Sequence, residues 1–108
     1  MPDASSGTPV LDLLTAMTAD SIEASSLDER ALMMVRIAAL VAVNAPPASY
    51  LLNLGAAREV GLQAEDVQGV LIGVAPIVGT ARVMSATGNI ERALGFAIEL
   101  AELGEETR

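Results

Sequence analysis

Apolar residues recur at helical spacing along almost the whole chain. Val10, Leu11, Leu13, Leu14 and Met17 follow Thr8-Pro9 and share one face of a first helix. Threonine suits an N-cap and proline a first helical position, so the helix starts there. It should fade between Ser21 and Ser26. Ser26 with Glu29 makes a capping-box pattern that opens a second helix, and Asp28 and Glu29 suit the positive end of its dipole. Leu32, Met33, Val35, Ile37, Ala38, Leu40 and Val41 leave this helix apolar nearly all round, as expected of a central, buried one. Only Arg36 interrupts it. Asn44-Ala45-Pro46-Pro47 ends the pattern near Val43, since proline disfavours helix in the residue before it.

A third helix is expected from Pro47 to Val60, with Leu51, Leu54 and Ala57 on one face, Tyr50 and Asn53 nearby, and Gly61 closing it. Glu65 and Asp66 mark the first turn of a fourth, with Val67, Val70, Leu71 and Val74 inside, ending before Pro76. Ala75 to Gly79 is read as an apolar elbow. A fifth helix runs from about Thr80 to Leu103, its stripe formed by Val83, Ala86, Ile90, Ala93, Leu94, Ala97, Ile98 and Ala101. That stripe suits a core or a subunit interface better than a cofactor site. The pattern predicts an all-α bundle of about five to six helices. Residues 1–8 are expected to form a disordered tail, 9–104 a single helical domain and 105–108 an acidic tail.

Composition sharpens this picture. Hydrophobic residues make up 52% of the 108 but aromatics only 2%, so the core must be aliphatic and alanine-rich, which favours closely packed helices over a β-sandwich. The net charge is -8, from 14 acidic residues against six arginines, with no lysine. Such a chain repels phosphate backbones and anionic lipid, so neither nucleic acid nor membrane is an expected partner. There is no cysteine and no histidine. Thiol redox chemistry, thiolate ligation and imidazole acid–base work are therefore closed to it. No signal peptide is visible, and no apolar run approaches the ~20 residues that span a bilayer, so a cytoplasmic location is expected.

The segments LDER, IAALVA leading to the Pro-rich corner, LLNLGAAREVGLQAEDVQGVLIGVAP and GTARVMSA, in that order from Leu27 to Glu102, resemble the carboxymuconolactone decarboxylase family, which includes alkylhydroperoxidase D-like proteins. The resemblance implies an all-α fold and small subunits assembled as homotrimers or homohexamers. The family's redox branch carries Cys-x-x-Cys-x-x-x-His at this corner. The two cysteine positions fall here on Pro46 and Ser49, and the histidine position on Asn53. A glutamate upstream falls on Met34, or on Met33 if the alignment slips by one. The decarboxylase branch keeps only the histidine, again at Asn53. A peroxidase is excluded, because no thiolate exists, and an asparagine hydrogen-bonds without titrating.

Four residues remain as candidates for binding a ligand. Arg36 either holds a ligand carboxylate, or pairs with an acid such as Glu59 or reaches solvent. Arg82, in the first turn of the fifth helix, either joins that helix's N-terminus in holding an anion or lies exposed on the surface. Tyr50 either orients a ligand or acts as a weak acid, or else packs half-buried. Asn53 either donates to a lactone or carbonyl oxygen or satisfies a turn or a partner subunit. The first function expected is a family member without thiol or histidine chemistry that binds a small carboxylate or lactone, with at most residual decarboxylase or isomerase activity. The alternative is an inactive homologue acting through oligomerisation. No cofactor or metal is expected.

Overall fold

The computed structural model of the chain describes residues 7–106, with side chains as far as Gly95. Of the expected tails, residues 1–6 and 107–108 fall outside the described residues, as do the side chains of Ala97, Ile98 and Ala101, whereas Glu105 and Glu106, expected in the acidic tail, continue the last helix beyond Leu103. Five helices succeed one another: α1 (Pro9–Ala24), α2 (Glu29–Ala42), α3 (Pro47–Glu59), α4 (Ala64–Val78) and α5 (Thr80–Glu106). No strand occurs among the described residues.

The α2 helix is central, packing against α3, α4 and α5. Its start differs from expectation. Asp28 rather than Ser26 is the cap, and its carboxylate accepts from the Ala31 N–H at 2.8 Å. The Ser25 hydroxyl instead accepts from the Leu27 N–H, turning the chain out of α1. Leu32, Met33, Ile37 and Val41 are the buried positions of α2.

Both ends of the expected corner are closed by one device. After α2, Asn44 takes a left-handed conformation (φ 55°); its N–H reaches the Val41 carbonyl and the Ala45 N–H reaches Leu40. After α3, Gly61 does the same (φ 87°), with its N–H on Arg58 and that of Leu62 on Ala57. These are Schellman stops, and they satisfy carbonyls the helix would otherwise leave unpaired. The second is sealed by Leu62 packing with Ala57 in the core. Arg30 fastens that turn to the start of α2, donating to the Gly61 carbonyl at 2.7 Å and pairing with Asp66 at 3.4 Å.

The α4 helix opens with a capping box in which Gln63 and Asp66 exchange side-chain bonds with each other's backbone. It then runs through Pro76 to Val78 instead of stopping before it. Proline removes one donor, the partner of the Ile72 carbonyl. Ile72 is 74% exposed, so water can take that carbonyl's bond and the helix tolerates the loss. The real break is Gly79 (φ 89°), and α5 begins at once.

The core forms two adjoining clusters. One holds Val41, Ala45, Tyr50, Ala86, Ile90 and Ala93; the other holds Met33, Ile37, Ala57 and Leu62. Leu51, Leu54, Val67, Leu71 and Val74 pack on them half-buried. The α1 helix adds nothing to either: none of its residues is buried. No helix among the described residues is long and apolar enough to cross a membrane.

Candidate functional site

The polar corner itself is structural. Asn44, held by its turn, accepts from the Ser85 hydroxyl at 2.7 Å, and Asn89 donates to the Ala45 carbonyl at 3.1 Å. Both bonds tie the corner to α5. Pro46 is exposed, and Ser49 sits half-buried in the first turn of α3. Neither offers a reactive atom beyond the serine hydroxyl.

One turn further along α3, Asn53 looks the other way. It lines a groove of about 350 Å3 between α1, α2 and α3. Arg36, Ala39 and Leu40 form the α2 wall, and Met17, Thr18 and Ser21 form the α1 wall. Two of the four sequence candidates, Arg36 and Asn53, thus meet at one site. The groove is open to solvent along its length, so a molecule lying in it would keep one side in water.

Their hydrogen bonding leaves capacity for a ligand. Arg36 is half-buried and its one described bond is a long one, from Nη2 to the Thr18 carbonyl at 3.4 Å. It does not pair with Glu59; the ion pair among the described residues is Arg30 with Asp66. A guanidinium has five N–H donors, so most of its capacity is unused. Asn53 donates one N–H to the Ser49 carbonyl at 2.8 Å, leaving a second N–H and its carbonyl oxygen. Of the remaining lining, Met17, Ala39 and Leu40 are apolar, and Thr18 and Ser21 are polar. No carboxylate lines the groove.

The other two candidates lie elsewhere. Tyr50 is completely buried rather than half-buried, 0% exposed, against Val41, Ala45, Ala86, Ile90 and Ala93. Its hydroxyl is buried without a hydrogen-bond partner among the described residues. Burial pushes its pKa above the ordinary tyrosine value, because the phenolate would lose its hydration. Leu40 separates the two environments, packing on the Tyr50 cluster and also lining the groove. Arg82 is exposed in the first turn of α5 and makes no bond to a described residue.

The positions where the resemblance implies a glutamate are also apart from the groove. Met33 is in the second core cluster. Met34 borders a separate, open depression of about 610 Å3 at the start of α2, whose one cation is the already paired Arg30. The sequence reading missed Met17, Thr18 and Ser21. Met17 carried an apolar signal, but nothing in the periodicity places it across a groove from Arg36.

Searches of curated proteins and of solved structures give no match. The sequence model of the carboxymuconolactone decarboxylase family matches residues 8–91, from the cap of α1 well into α5. With five helices in the expected order and most of its length matched, the chain belongs to the carboxymuconolactone decarboxylase family.

Proposed function

We propose that this protein binds a small carboxylate or lactone-type ligand in the groove between α1, α2 and α3. The carrying observation is a half-buried Arg36 that faces the groove with no acidic partner, beside the amide of Asn53. A guanidinium with most of its donors uncommitted suits two carboxylate oxygens. Asn53 offers the second point of contact, to a carbonyl or ring oxygen. Met17, Ala39 and Leu40 accept the ligand's apolar body.

Chemistry beyond binding is limited to electrostatics. Arg36 can stabilise an enolate or carboxylate as charge develops. A general base is lacking: no carboxylate lines the groove, Asn53 does not titrate, and the Tyr50 hydroxyl is sealed in the core. Any decarboxylase-like lyase or isomerase activity is therefore residual. On this reading the protein works in the cytoplasm, and its family resemblance implies a homotrimer or homohexamer. The second reading, an inactive homologue acting through assembly, draws support from α1, whose apolar residues serve no core.

Thermal-shift and calorimetric titration with four- to six-carbon keto acids, hydroxy acids and lactones (all about 1 mM, a concentration that detects affinities near −4 kcal/mol) tests the binding reading. Arg36→Ala should weaken binding about 10- to 100-fold, the equivalent of the ~1.5–3 kcal/mol of a charged hydrogen bond. Arg82→Ala should change nothing. No binding by any compound, or undiminished binding by Arg36→Ala, overturns it.

A further inference from the structure

A chain without cysteine, histidine or tryptophan keeps its readily oxidised side chains in methionine alone. An oxidant must reach the sulfur, so exposure decides which thioether reacts. Among the described residues, Met33 is sealed in the core at 4% exposed, and Met34 is half-buried. Met17 and Met84 stand open, at 56% and 67%. The product of oxidation is a sulfoxide, which turns an apolar side chain into a polar one.

What that change does depends on the neighbours. Met84 lines neither of the two hollows described above. Met34 borders the depression at the start of α2, where the cation is Arg30, already bonded to the Gly61 carbonyl and paired with Asp66. Met17 lines the groove whose cation is Arg36. The one described bond of Arg36 is the 3.4 Å contact to the carbonyl of Thr18, the residue next to Met17. One groove therefore holds an open thioether and a guanidinium with uncommitted donors. A sulfoxide oxygen carries partial negative charge and accepts hydrogen bonds, so it suits those donors as a carboxylate oxygen does.

The α1 helix confines the effect to the groove. None of its residues is buried, so a polar Met17 disturbs no core packing. The same change at Met33 would set a polar group among Ile37, Ala57 and Leu62.

We propose that Met17 is a site of reversible oxidation by hydrogen peroxide or a small organic hydroperoxide, and that its sulfoxide occupies Arg36 and shuts the groove to a carboxylate. The thioether sulfur attacks one peroxide oxygen. An S–O bond forms as the O–O bond breaks, and the transferred oxygen gives its proton to the departing one, which leaves as water or an alcohol. The sulfur loses an electron pair and the peroxide gains it. A methionine sulfoxide reductase, drawing on a thiol, reverses the step and releases water. The effect on a carboxylate rests on reading the groove as the binding site; oxidation of Met17 and its contact with Arg36 do not.

The full chain is treated with hydrogen peroxide, and the oxidation of each methionine is followed by peptide mass spectrometry. Arg36 is probed by its rate of phenylglyoxal modification, with the exposed Arg82 as reference. Carboxylate binding is measured by calorimetry with levulinate, a short keto acid. Met17 and Met84 should oxidise several-fold faster than Met33. After oxidation Arg36 should react several-fold more slowly, with Arg82 unchanged. Levulinate affinity should fall about tenfold, the loss of one charged hydrogen bond. Sulfoxide reductase should restore both. Met17→Leu keeps the groove wall apolar and should lose the response, while Met84→Leu should keep it; circular dichroism checks that both variants retain their helicity. Met17 oxidising no faster than Met33 overturns the site. An equal Arg36 rate before and after oxidation, or a slowing that persists in Met17→Leu, overturns the contact. Levulinate bound equally by both forms overturns the closing of the groove. Levulinate bound by neither form, with Arg36 still answering to Met17, counts against the binding reading and leaves the modification site standing.

Discussion

Tyr50 is the residue whose surroundings are most demanding. It is the one tyrosine of the chain, and it fills space left by Ala45, Ala86 and Ala93. Its ring contributes a large part of this alanine-rich core, but its hydroxyl is unpaired. A buried donor without a partner costs about 1–3 kcal/mol. Tyr50→Phe should therefore be neutral or stabilising by up to that amount in thermal unfolding, and Tyr50→Ala should lose about 3–5 kcal/mol. A clear loss in Tyr50→Phe would reveal an unseen partner for the hydroxyl. The raised pKa adds a pH effect. Between the ordinary value of about 10 and the raised one, the folded state keeps a proton that the unfolded chain has released, so stability falls as pH rises through that window and is unaffected below it. Tyrosinate absorbance should show Tyr50 ionising together with unfolding, and Tyr50→Phe should lack that alkaline loss.

At the scale of elements, the turns matter more than the helices they separate. Asn44 holds a left-handed turn and also receives the Ser85 hydroxyl. Asn44→Ala should cost about 1–3 kcal/mol, combining the strained backbone with the lost bond. Asn44→Gly should cost less, since glycine relieves the strain and loses only the bond. Equal losses from both, in denaturant unfolding, would mean that the turn carries no strain. Much of this level was legible in the sequence. Pro47, Gly61 and Gly79 place three helix boundaries because each has a restricted or special backbone. The cap of α2 was misplaced because Ser25, Ser26 and Asp28 all suit a cap, and only the path out of α1 selects Asp28. Pro76 was misjudged because the exposure of the Ile72 carbonyl depends on what lies beside α4. For the site, Arg36 and Asn53 stood out as polar groups in apolar helices. The α1 wall did not, because it depends on the turn between α1 and α2. Tyr50 stood out for the wrong reason: an alanine-rich core with one tyrosine has room for it inside.

At the scale of the whole molecule, charge is lopsided. The chain carries -8, and one ion pair, Arg30 with Asp66, joins its described residues. Exposed pairs of this kind contribute about 0–1 kcal/mol, so self-repulsion among the remaining acids outweighs it. Raising sodium chloride to about 0.5 M shortens the screening length to a few ångströms and should increase the melting temperature. The measurement is made at one fixed protein concentration. A melting temperature that falls with salt would show attraction, not repulsion, to dominate.

The absence of any buried residue in α1 separates two kinds of selection on this gene product. In a library screened only for soluble, folded subunits, substitutions across α1 should be accepted almost freely, while Ile37, Val41 and Tyr50 reject change. Screened for ligand capture, the same library should turn against replacements at Met17, Thr18 and Ser21, which line the groove. Random mutagenesis read under both conditions would map the α1 wall of the groove directly, and α1 could be rewritten to suit a new ligand without disturbing the fold that carries it.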